Sequence, residues 1–329
     1  MAKKRVCRRK GAISVNTIEV NHLSVSFPSA RGPVQVLRDV SLSFAQGKIT
    51  AVVGESGSGK SILGAGILRF LDSSARISGE ILYKEKNLLS LKEEEMRRIR
   101  GREIGWIAQD PVTAMDPLIR VGKQVTEALR FFRKERRQEL KTKAIHQLAS
   151  YGLSDPVRTY GRYPHQLSGG MAQRVMAAMM TMDDPGFLIA DEPTKGLDAF
   201  VRRQVADMFC SLRDQGTGIF LITHDLKLAR RIADFTAVMY AGELLEFAPT
   251  EELFSHPLHP YTEGLLRAQP DGGFHPINGK PPDLSNLPEG CIFANRCPFF
   301  ESGLCMSCQE AVVLAHGHRV KCAKRGSGR

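Results

Sequence analysis

The 329-residue sequence has no long hydrophobic run. No apolar stretch reaches the length of about 18 residues that a membrane-spanning helix requires. The basic N-terminus is also not followed by the apolar core of a secretory signal. The overall content, 42% hydrophobic and 25% charged residues, is ordinary for a soluble globular protein. We therefore expect a cytosolic protein, whose role at any membrane would come through a partner.

Cysteine is sparse along most of the chain. Of the seven cysteines, Cys7 and Cys210 stand alone. The other five lie together near the C-terminus: Cys291, Cys297, Cys305, Cys308 and Cys322. Disulfides are rare in cytosolic proteins, so such a cluster favours a metal site over disulfide bonds.

The chain has no internal repeat of a whole domain, and its patterning predicts three parts. Residues 1–15 are predicted to form a mobile basic arm. Residues 16–268 alternate strand-like and helical patterns, which predicts one α/β domain with a helical insertion at about 109–184. Residues 269–329 begin as a proline- and glycine-rich linker and end in the cysteine-rich extension.

The sequence has an excess of positive charge, with a formal net charge of +11. A basic surface can bind nucleic acid or an anionic membrane. In the two basic stretches outside the N-terminal arm, however, acidic residues are interleaved with the bases, which favours ordinary solvated surfaces.

A phosphate-binding loop is predicted between an apolar run at 49–53 and a helical pattern at 62–70. The loop matches G-x-x-x-x-G-K-[ST] and consists of Gly54, Glu55, Ser56, Gly57, Ser58, Gly59, Lys60 and Ser61. Its glycines allow backbone N–H groups to surround phosphates at a helix N-terminus. The lysine can contact the β- and γ-phosphates, and the final serine hydroxyl can bind Mg²⁺. A nucleoside triphosphate site with Mg²⁺ is therefore predicted.

Two carboxylates follow a second apolar run, at 187–190. Parallel strands present their ligands at their carboxyl ends, so Asp191 and Glu192 should lie near the phosphate loop. Asp191 is predicted to bind Mg²⁺ directly or through water. Glu192 is predicted to be the general base that polarises the attacking water. Lys60 completes this predicted catalytic group.

Three further elements follow the order of a known family. A glycine-rich helix start at 167–174 includes Ser168, Gly169 and Gly170, which can offer donors to a γ-phosphate. Gln109 follows the apolar run 104–108, and His224 follows another at 219–223. With these motifs in this order, residues 17–268 resemble the ABC-type ATPases, which are P-loop NTPases with a helical signature subdomain.

The resemblance implies roles for residues that the pattern alone does not assign. Phe27 would stack on adenine, Gln109 would contact Mg²⁺ or the attacking water, and His224 would be the switch histidine. Asp198 would be the D-loop residue that contacts a second ATPase subunit. In this family the signature of one subunit completes the nucleotide site of the other, so Ser168, Gly169 and Gly170 would bind ATP held by the partner.

The C-terminal part is similar to that of the dipeptide, oligopeptide and nickel importers. The similarity lies in the segments 109–117, 256–262 and 290–297 and in the terminal 318–322. Some relatives hold a [4Fe–4S] cluster there. Four thiols suit such a cluster, and they would be Cys291, Cys297, Cys305 and Cys322. Zinc is the alternative, using the Cys305–Cys308 pair with His316 or His318, and buried cysteines without metal are the third option.

Two functions are compatible with these features. The first is the ATP-hydrolysing subunit of a bacterial importer of peptides or nickel, at the cytoplasmic face of the cell membrane. It would work with a second ATPase subunit, two transmembrane permease subunits and an extracytoplasmic binding protein. The second is a soluble ABC ATPase acting on DNA or ribosomes. The sequence favours the importer, because it lacks the second ATPase module, long coiled coil or inserted zinc module typical of the alternative, and no nucleic acid partner is expected.

Overall fold

The computed structural model describes residues 16–133, 135–307, 310–314 and 317–326. The predicted basic arm, Cys7, Cys308 and His316 lie outside these ranges. The strands are β1 (Thr17–Phe27), β2 (Val34–Ala45), β3 (Ile49–Val53), β4 (Arg76–Tyr83), β5 (Lys86–Asn87), β6 (Ile104–Ile107), β7 (Phe187–Asp191), β8 (Gly218–Ile222), β9 (Phe235–Tyr240), β10 (Glu243–Pro249), β11 (Val312–Val313) and β12 (Arg319–Val320).

The helices divide into α-helices and short 3₁₀ turns. The α-helices are α1 (Lys60–Ile67), α2 (Glu93–Ile99), α3 (Pro111–Ala114), α4 (Val121–Val125), α5 (Glu127–Arg133), α6 (Arg137–Ser150), α7 (Pro156–Gly161), α8 (Gly169–Met180), α9 (Ala199–Asp214), α10 (Leu226–Ile232), α11 (Thr250–Ser255), α12 (Pro260–Arg267), α13 (Ser302–Cys305) and α14 (Ala323–Gly326). The 3₁₀ turns are Leu88–Ser90, Pro164–Gln166, Pro270–Gly272 and Ala294–Arg296. Across the described ranges, none of these helices has the length and apolar character needed to cross a bilayer.

The central sheet has eight strands in the order β11-β12-β10-β9-β3-β8-β7-β6. The five strands from β9 to β6 are parallel to one another. Every residue of β3, β7 and β8 is buried, as expected for apolar strands covered on both faces. Because parallel strands end at the same edge, the segments that follow β3, β6, β7 and β8 meet there.

A second sheet covers one face of the central sheet. It has four antiparallel strands in the order β2-β1-β4-β5. Phe44 of β2 packs against Phe187 of β7 and Phe220 of β8, with ring centroids 5.7 Å and 4.8 Å apart. A shared apolar core therefore joins the two sheets.

Six helices, α3 to α8, lie between β6 and β7. Helices α4 and α5 are separated at Thr126, which follows the last residue of α4 and precedes the first residue of α5. The Thr126 hydroxyl donates hydrogen bonds to the carbonyl oxygens of Gly122 (3.0 Å) and Lys123 (3.3 Å). Such bonds from a threonine side chain back to the preceding turn compete with the regular helical pattern.

The C-terminal segment is joined to the central sheet. Strand β12 pairs with β10 through Glu246 and Phe247, so it extends the sheet beyond the β9–β10 hairpin. Beside this pairing, the fully buried Glu246 carboxylate accepts a hydrogen bond from the buried His318 ring at 2.7 Å. The same carboxylate accepts the backbone N–H groups of Leu258 and His259. Strand pairing and a buried polar cluster thus fix the last part of the chain against the ATPase sheet.

Candidate functional site

The phosphate loop lies between β3 and α1, and it is packed closely on both sides. A Cβ on Gly54 would lie 2.1 Å from the carbonyl oxygen of Met239 in β9. Gly59 has a φ of +97°, and a Cβ there would lie 2.7 Å from the Leu37 side chain in β2. Both positions therefore require glycine, for space and, at Gly59, for its left-handed backbone.

The Lys60 side chain lies inside this loop. Its ammonium group donates hydrogen bonds to the carbonyl oxygens of Gly54 (2.9 Å) and Glu55 (2.8 Å) and to the Ser58 hydroxyl (3.3 Å). Burial lowers the pKa of Lys60, although Glu192, Asp191 and Glu55 oppose this shift. The loop thus holds a desolvated cation in the concavity where phosphate oxygens can replace lost water.

Ser61 and Asp191 form the oxygen-lined part of the site. The Ser61 hydroxyl donates a hydrogen bond to the Asp191 carboxylate at 3.0 Å. Burial raises the pKa of Asp191, and the Ser61 hydrogen bond partly offsets this effect. A carboxylate that is costly to ionise alone is suited to a cation. Mg²⁺ prefers one or two protein oxygens together with phosphates and water, so this small donor set fits it.

Glu192 occupies a constrained turn just after β7. Its φ is +47°, which is uncommon outside glycine. Its backbone N–H donates to the carbonyl of Ile222 at 2.9 Å, which ties the turn to the end of β8. The carboxylate lies 2.8 Å from Nδ1 of His224. The turn therefore holds the Glu192 carboxylate against His224 at the ends of β7 and β8.

Gln109 and Phe27 lie at the margins of this edge. Ile107 of β6 is in register with Ala190 of β7. Glu192 and the exposed Gln109 each follow two residues after this pair, so both lie at the same edge of the sheet. Phe27 is the last residue of β1 and is half-buried against the second sheet's core. Two residues earlier, Val25 pairs with Leu37, whose side chain flanks Gly59. Phe27 itself pairs with Val34, the first residue of β2.

The signature residues and Asp198 form a separate group. Ser168 is the N-cap of α8, and its hydroxyl accepts the backbone N–H of Met171. Asp198 is the N-cap of α9, where it accepts the N–H of Val201 at 2.9 Å. A Cβ on Gly170 would lie 2.7 Å from a Val201 methyl group. Two helix N-termini, each with free backbone donors, therefore pack directly against each other.

Gly169 belongs to the same group, because a Cβ built on it would contact the Leu197 side chain at 3.6 Å. Among the described residues, no hydrogen bond joins Ser168, Gly169 or Gly170 to the phosphate loop of this chain. The structure thus brings together Lys60, Ser61, Asp191, Glu192 and His224, and keeps the signature as a second group beside Asp198.

Four of the predicted metal ligands line one cavity in the C-terminal segment. The cavity has a volume of about 650 Å³, and its lining includes Cys291, Cys297, Cys305 and Cys322. Burial raises the pKa of Cys291 to about 11, and it also raises the pKa of Cys297. In the described part of the chain, no three His, Cys, Asp or Glu side chains lie close enough together to hold a metal ion as they stand.

A buried histidine lines the same cavity. Nδ1 of His259 accepts the backbone N–H of Tyr261 at 3.0 Å, which leaves the ring proton on Nε2. This Nε2 is buried without a hydrogen-bond partner among the described residues. Burial lowers the pKa of His259 to about 4, so the ring is neutral. A buried N–H donor beside four thiols is suited to an acceptor such as sulfur within the cavity.

The C-terminal segment also contacts the phosphate loop, which sequence reasoning missed. The Arg296 guanidinium donates to both carboxylate oxygens of Glu55, at 2.8 Å and 3.0 Å. The hydroxyl of Tyr261 accepts the backbone N–H of Glu55 at 3.0 Å. The only signal in the sequence was that Arg296 and Tyr261 fall in the segments shared with the importer group.

Residues 37–195 match the family model described as ABC transporter, and residues 245–305 match the model described as oligopeptide/dipeptide transporter, C-terminal region. The dipeptide transport ATP-binding protein DppD of Bacillus subtilis is 42% identical over 289 residues, covering 85% of this chain and 86% of that protein. The chain belongs to the ABC transporter ATP-binding proteins.

Two further relatives agree with this ABC ATPase assignment. The oligopeptide transport ATP-binding protein OppD of Bacillus subtilis is 40% identical over 291 residues, covering 86% of this chain and 81% of that protein. A putative peptide import ATP-binding protein of Brucella abortus is 39% identical over 315 residues, covering 94% of this chain and 95% of that protein. The predicted family and its ATP-hydrolysing class are confirmed.

Solved structures confirm the predicted fold of this ABC ATPase. The dimeric structure of the bacterial ABC transporter cassette MJ0796 aligns with a TM-score of 0.64 at 25% identity, covering 71% of this chain and 98% of that chain. The structure of cbiO1 from Clostridium perfringens aligns with a TM-score of 0.62, covering 74% of this chain and 92% of that chain.

Proposed function

We propose that this ATPase powers the import of dipeptides or oligopeptides as the motor subunit of a bacterial ABC importer, with nickel as the alternative cargo. The observation that carries the proposal is the presence, in one chain, of a region that matches the ABC transporter family and of the oligopeptide/dipeptide transporter C-terminal region. The curated relatives with transport names are similar along most of the chain, which supports peptides over nickel.

Each of the clustered side chains has a separate role in the proposed hydrolysis of ATP. Lys60 and the loop N–H groups bind the phosphates, and Ser61 and Asp191 would hold Mg²⁺, which would offset charge that develops on the phosphoryl group. Glu192 accepts a proton from the attacking water. Its neighbour His224, 2.8 Å away, orients that carboxylate and contacts the γ-phosphate. Gln109 positions the water or the metal from the adjacent strand end.

The proposed working unit is a pair of ATPase subunits on two transmembrane permease subunits. Ser168, Gly170 and Asp198 share one surface with two helix N-termini, which supports their binding across the pair to the partner's nucleotide. Exposed apolar side chains near Gln109, Leu118 at 85% and Ile119 at 37%, support contact with the permease at the cytoplasmic membrane face. An extracytoplasmic binding protein would deliver the cargo.

Reconstitution tests the function. The chain is purified with two permease subunits and a second ATPase subunit, either another copy of this chain or a different one. The complex is placed in proteoliposomes and supplied with the cognate binding protein. Loaded with peptide, that binding protein is expected to stimulate ATP hydrolysis several-fold and to drive uptake of labelled peptide. Stimulation by nickel or a nickel complex alone would select the alternative cargo. Tight, salt-sensitive binding of DNA or RNA without transport would favour the nucleic-acid function and contradict the importer.

We also propose that Cys291, Cys297, Cys305 and Cys322 hold a [4Fe–4S] cluster, with zinc as the alternative. The four thiols line one cavity, and the unpartnered His259 N–H beside them suits a sulfur acceptor. The thiols would have to converge on binding.

Metal analysis distinguishes these options. Protein purified without oxygen is expected to be brown and to contain about four iron and four sulfide ions per chain, the composition of the cluster. Cys305→Ser should remove most of the iron, whereas Cys210→Ser, which alters a half-buried thiol of α9 away from the cavity, should not. A colourless protein with about one zinc ion per chain supports zinc. A protein without either metal contradicts both.

A further inference from the structure

The ion pair between Arg296 and Glu55 connects the C-terminal segment to the phosphate loop. Arg296 lies at the end of the 3₁₀ turn Ala294–Arg296, and Glu55 is the second residue of the loop. The guanidinium contacts both carboxylate oxygens, which is the strongest and most directional form of an arginine–carboxylate pair. The two residues are 241 positions apart in the sequence. The contact therefore restrains the loop from outside the matched ABC transporter region.

The pair is fixed by its surroundings. The Arg296 side chain is 4% exposed and that of Glu55 is 27% exposed. One guanidinium nitrogen also donates to the Tyr240 hydroxyl at 3.2 Å, and Nε donates to the carbonyl of Asn278. A buried guanidinium whose three nitrogens all donate hydrogen bonds has little freedom to leave its partner. The surrounding residues therefore fix the position of the Arg296 guanidinium, and the ion pair in turn restrains the Glu55 carboxylate.

An aromatic cluster supports the same part of the loop. The rings of Tyr240, Tyr261 and Phe293 pack with centroid distances of 4.6 Å and 5.4 Å. Tyr240 ends β9, Tyr261 is in α12, and Phe293 belongs to the C-terminal segment. The Tyr261 hydroxyl accepts the Glu55 N–H, so this backbone donor faces the cluster. The Glu55 carboxylate is thus bound by Arg296, and the Glu55 backbone N–H is bound by Tyr261.

The restraint reaches the phosphate-binding lysine in one step. The carbonyl oxygen of Glu55 accepts a hydrogen bond from Lys60 at 2.8 Å. Glu55 therefore joins Arg296 to Lys60 through its own side chain and backbone. The phosphate loop must place several N–H groups around the phosphates of ATP. Its affinity for ATP falls when its backbone also samples other conformations, because these must be given up on binding. A fixed Glu55 reduces that sampling before ATP arrives.

We propose that Arg296 is a positioning residue for the phosphate loop: through Glu55 it preorganises the loop for ATP, so the C-terminal segment sets the affinity of the motor for nucleotide. Arg296 does not touch the nucleotide in this role. The proposal rests on ATP binding by this chain and is independent of the transported cargo and of any metal at the cysteines.

The test measures equilibrium ATP binding and steady-state hydrolysis on the full-length subunit. Arg296→Met is expected to raise the Kd and the KM for ATP about tenfold while kcat changes less than about twofold, because preorganisation acts on ground state and transition state alike. Arg296→Lys keeps the charge but not the two-pronged contact, and its Kd should rise about threefold.

A double-mutant cycle shows whether Arg296 affects ATP binding through Glu55. If Arg296 acts through Glu55, Arg296→Met should change the Kd by less than about twofold in a Glu55→Gln background. Arg319→Met is the matched control. It removes another half-buried arginine of the C-terminal segment, which packs over Phe247 at 4.9 Å, and it should leave the Kd unchanged.

Three results would overturn the proposal. The first is an unchanged Kd for both Arg296 variants. The second is an equal effect of Arg296→Met in the parent and Glu55→Gln backgrounds. The third is a Kd that rises only in proportion to metal lost from the cysteines, measured on the same samples. If Arg296→Met does not fold, Arg296→Lys and Glu55→Gln are measured instead, and parent-like binding by both contradicts the role.

Discussion

Replacing Glu192 with glutamine is expected to lower kcat for ATP hydrolysis by about 10²–10⁴-fold, the usual contribution of a general base. Glutamine has nearly the same shape and can keep the contact with His224, now 2.8 Å from the carboxylate. It cannot accept a proton from water at neutral pH. The Kd for ATP should change little, because Ser61, Lys60 and the loop backbone remain.

Steady-state hydrolysis and equilibrium ATP binding on the same preparation check this result. The control is Glu103→Gln, which changes a carboxylate just before β6 that pairs with Lys84 at 2.6 Å. It should retain parent-like turnover. Unchanged hydrolysis by Glu192→Gln would refute the role of Glu192 as base, and a matching loss of ATP binding would reassign the residue to nucleotide binding.

Lys60→Met is expected to weaken ATP binding by about a hundredfold, corresponding to about 3 kcal/mol for two lost charge-assisted contacts to phosphate. Lys60 is 6% exposed, and its ammonium group donates hydrogen bonds within the loop. The free energy spent on its burial is recovered when phosphate oxygens replace water. Methionine fills the same space without charge, so the unliganded loop should keep its packing.

Calorimetric titration of ATP measures this loss, and thermal unfolding shows whether the fold is intact. Lys48→Met is the matched control, because Lys48 precedes the opposite end of the same strand, β3, and pairs with Asp234 at 3.2 Å. It should bind ATP like the parent. A Lys60→Met protein that binds ATP within about threefold of the parent would remove Lys60 from the phosphate site.

The sequence predicted the residues at the carboxyl edge of the parallel strands well, because the sequence signals for this edge are local. The apolar run 49–53 coincides with β3, and the glycine pattern after it needs only eight consecutive residues. Runs 187–190 and 219–223 fall within one residue of β7 and β8. Once parallel strands are recognised, their shared carboxyl edge brings Asp191 and Glu192 to the loop, and this placement requires no further information.

The remaining features depend on contacts between distant residues. The break at Thr126 results from a hydroxyl that bonds to its own helix, which apolar periodicity does not detect. Strands β11 and β12 have two residues each, too short for an alternating pattern, and they form by pairing, β12 with β10 and β11 with β12. The Arg296–Glu55 pair leaves no trace in either local segment, because each residue alone resembles an exposed charge.

The separation of Glu55 and Arg296 has a consequence for the synthesis of the protein. Arg296 is translated 241 residues after Glu55, which at about 5–20 residues per second corresponds to roughly 10–50 s. During that interval the nascent chain contains the phosphate loop but not the arginine and Phe293 behind it. A truncated chain that ends before residue 290 would carry every nucleotide motif without this support. Completion of the C-terminus therefore marks the moment at which the loop of a newly made subunit acquires all of its contacts.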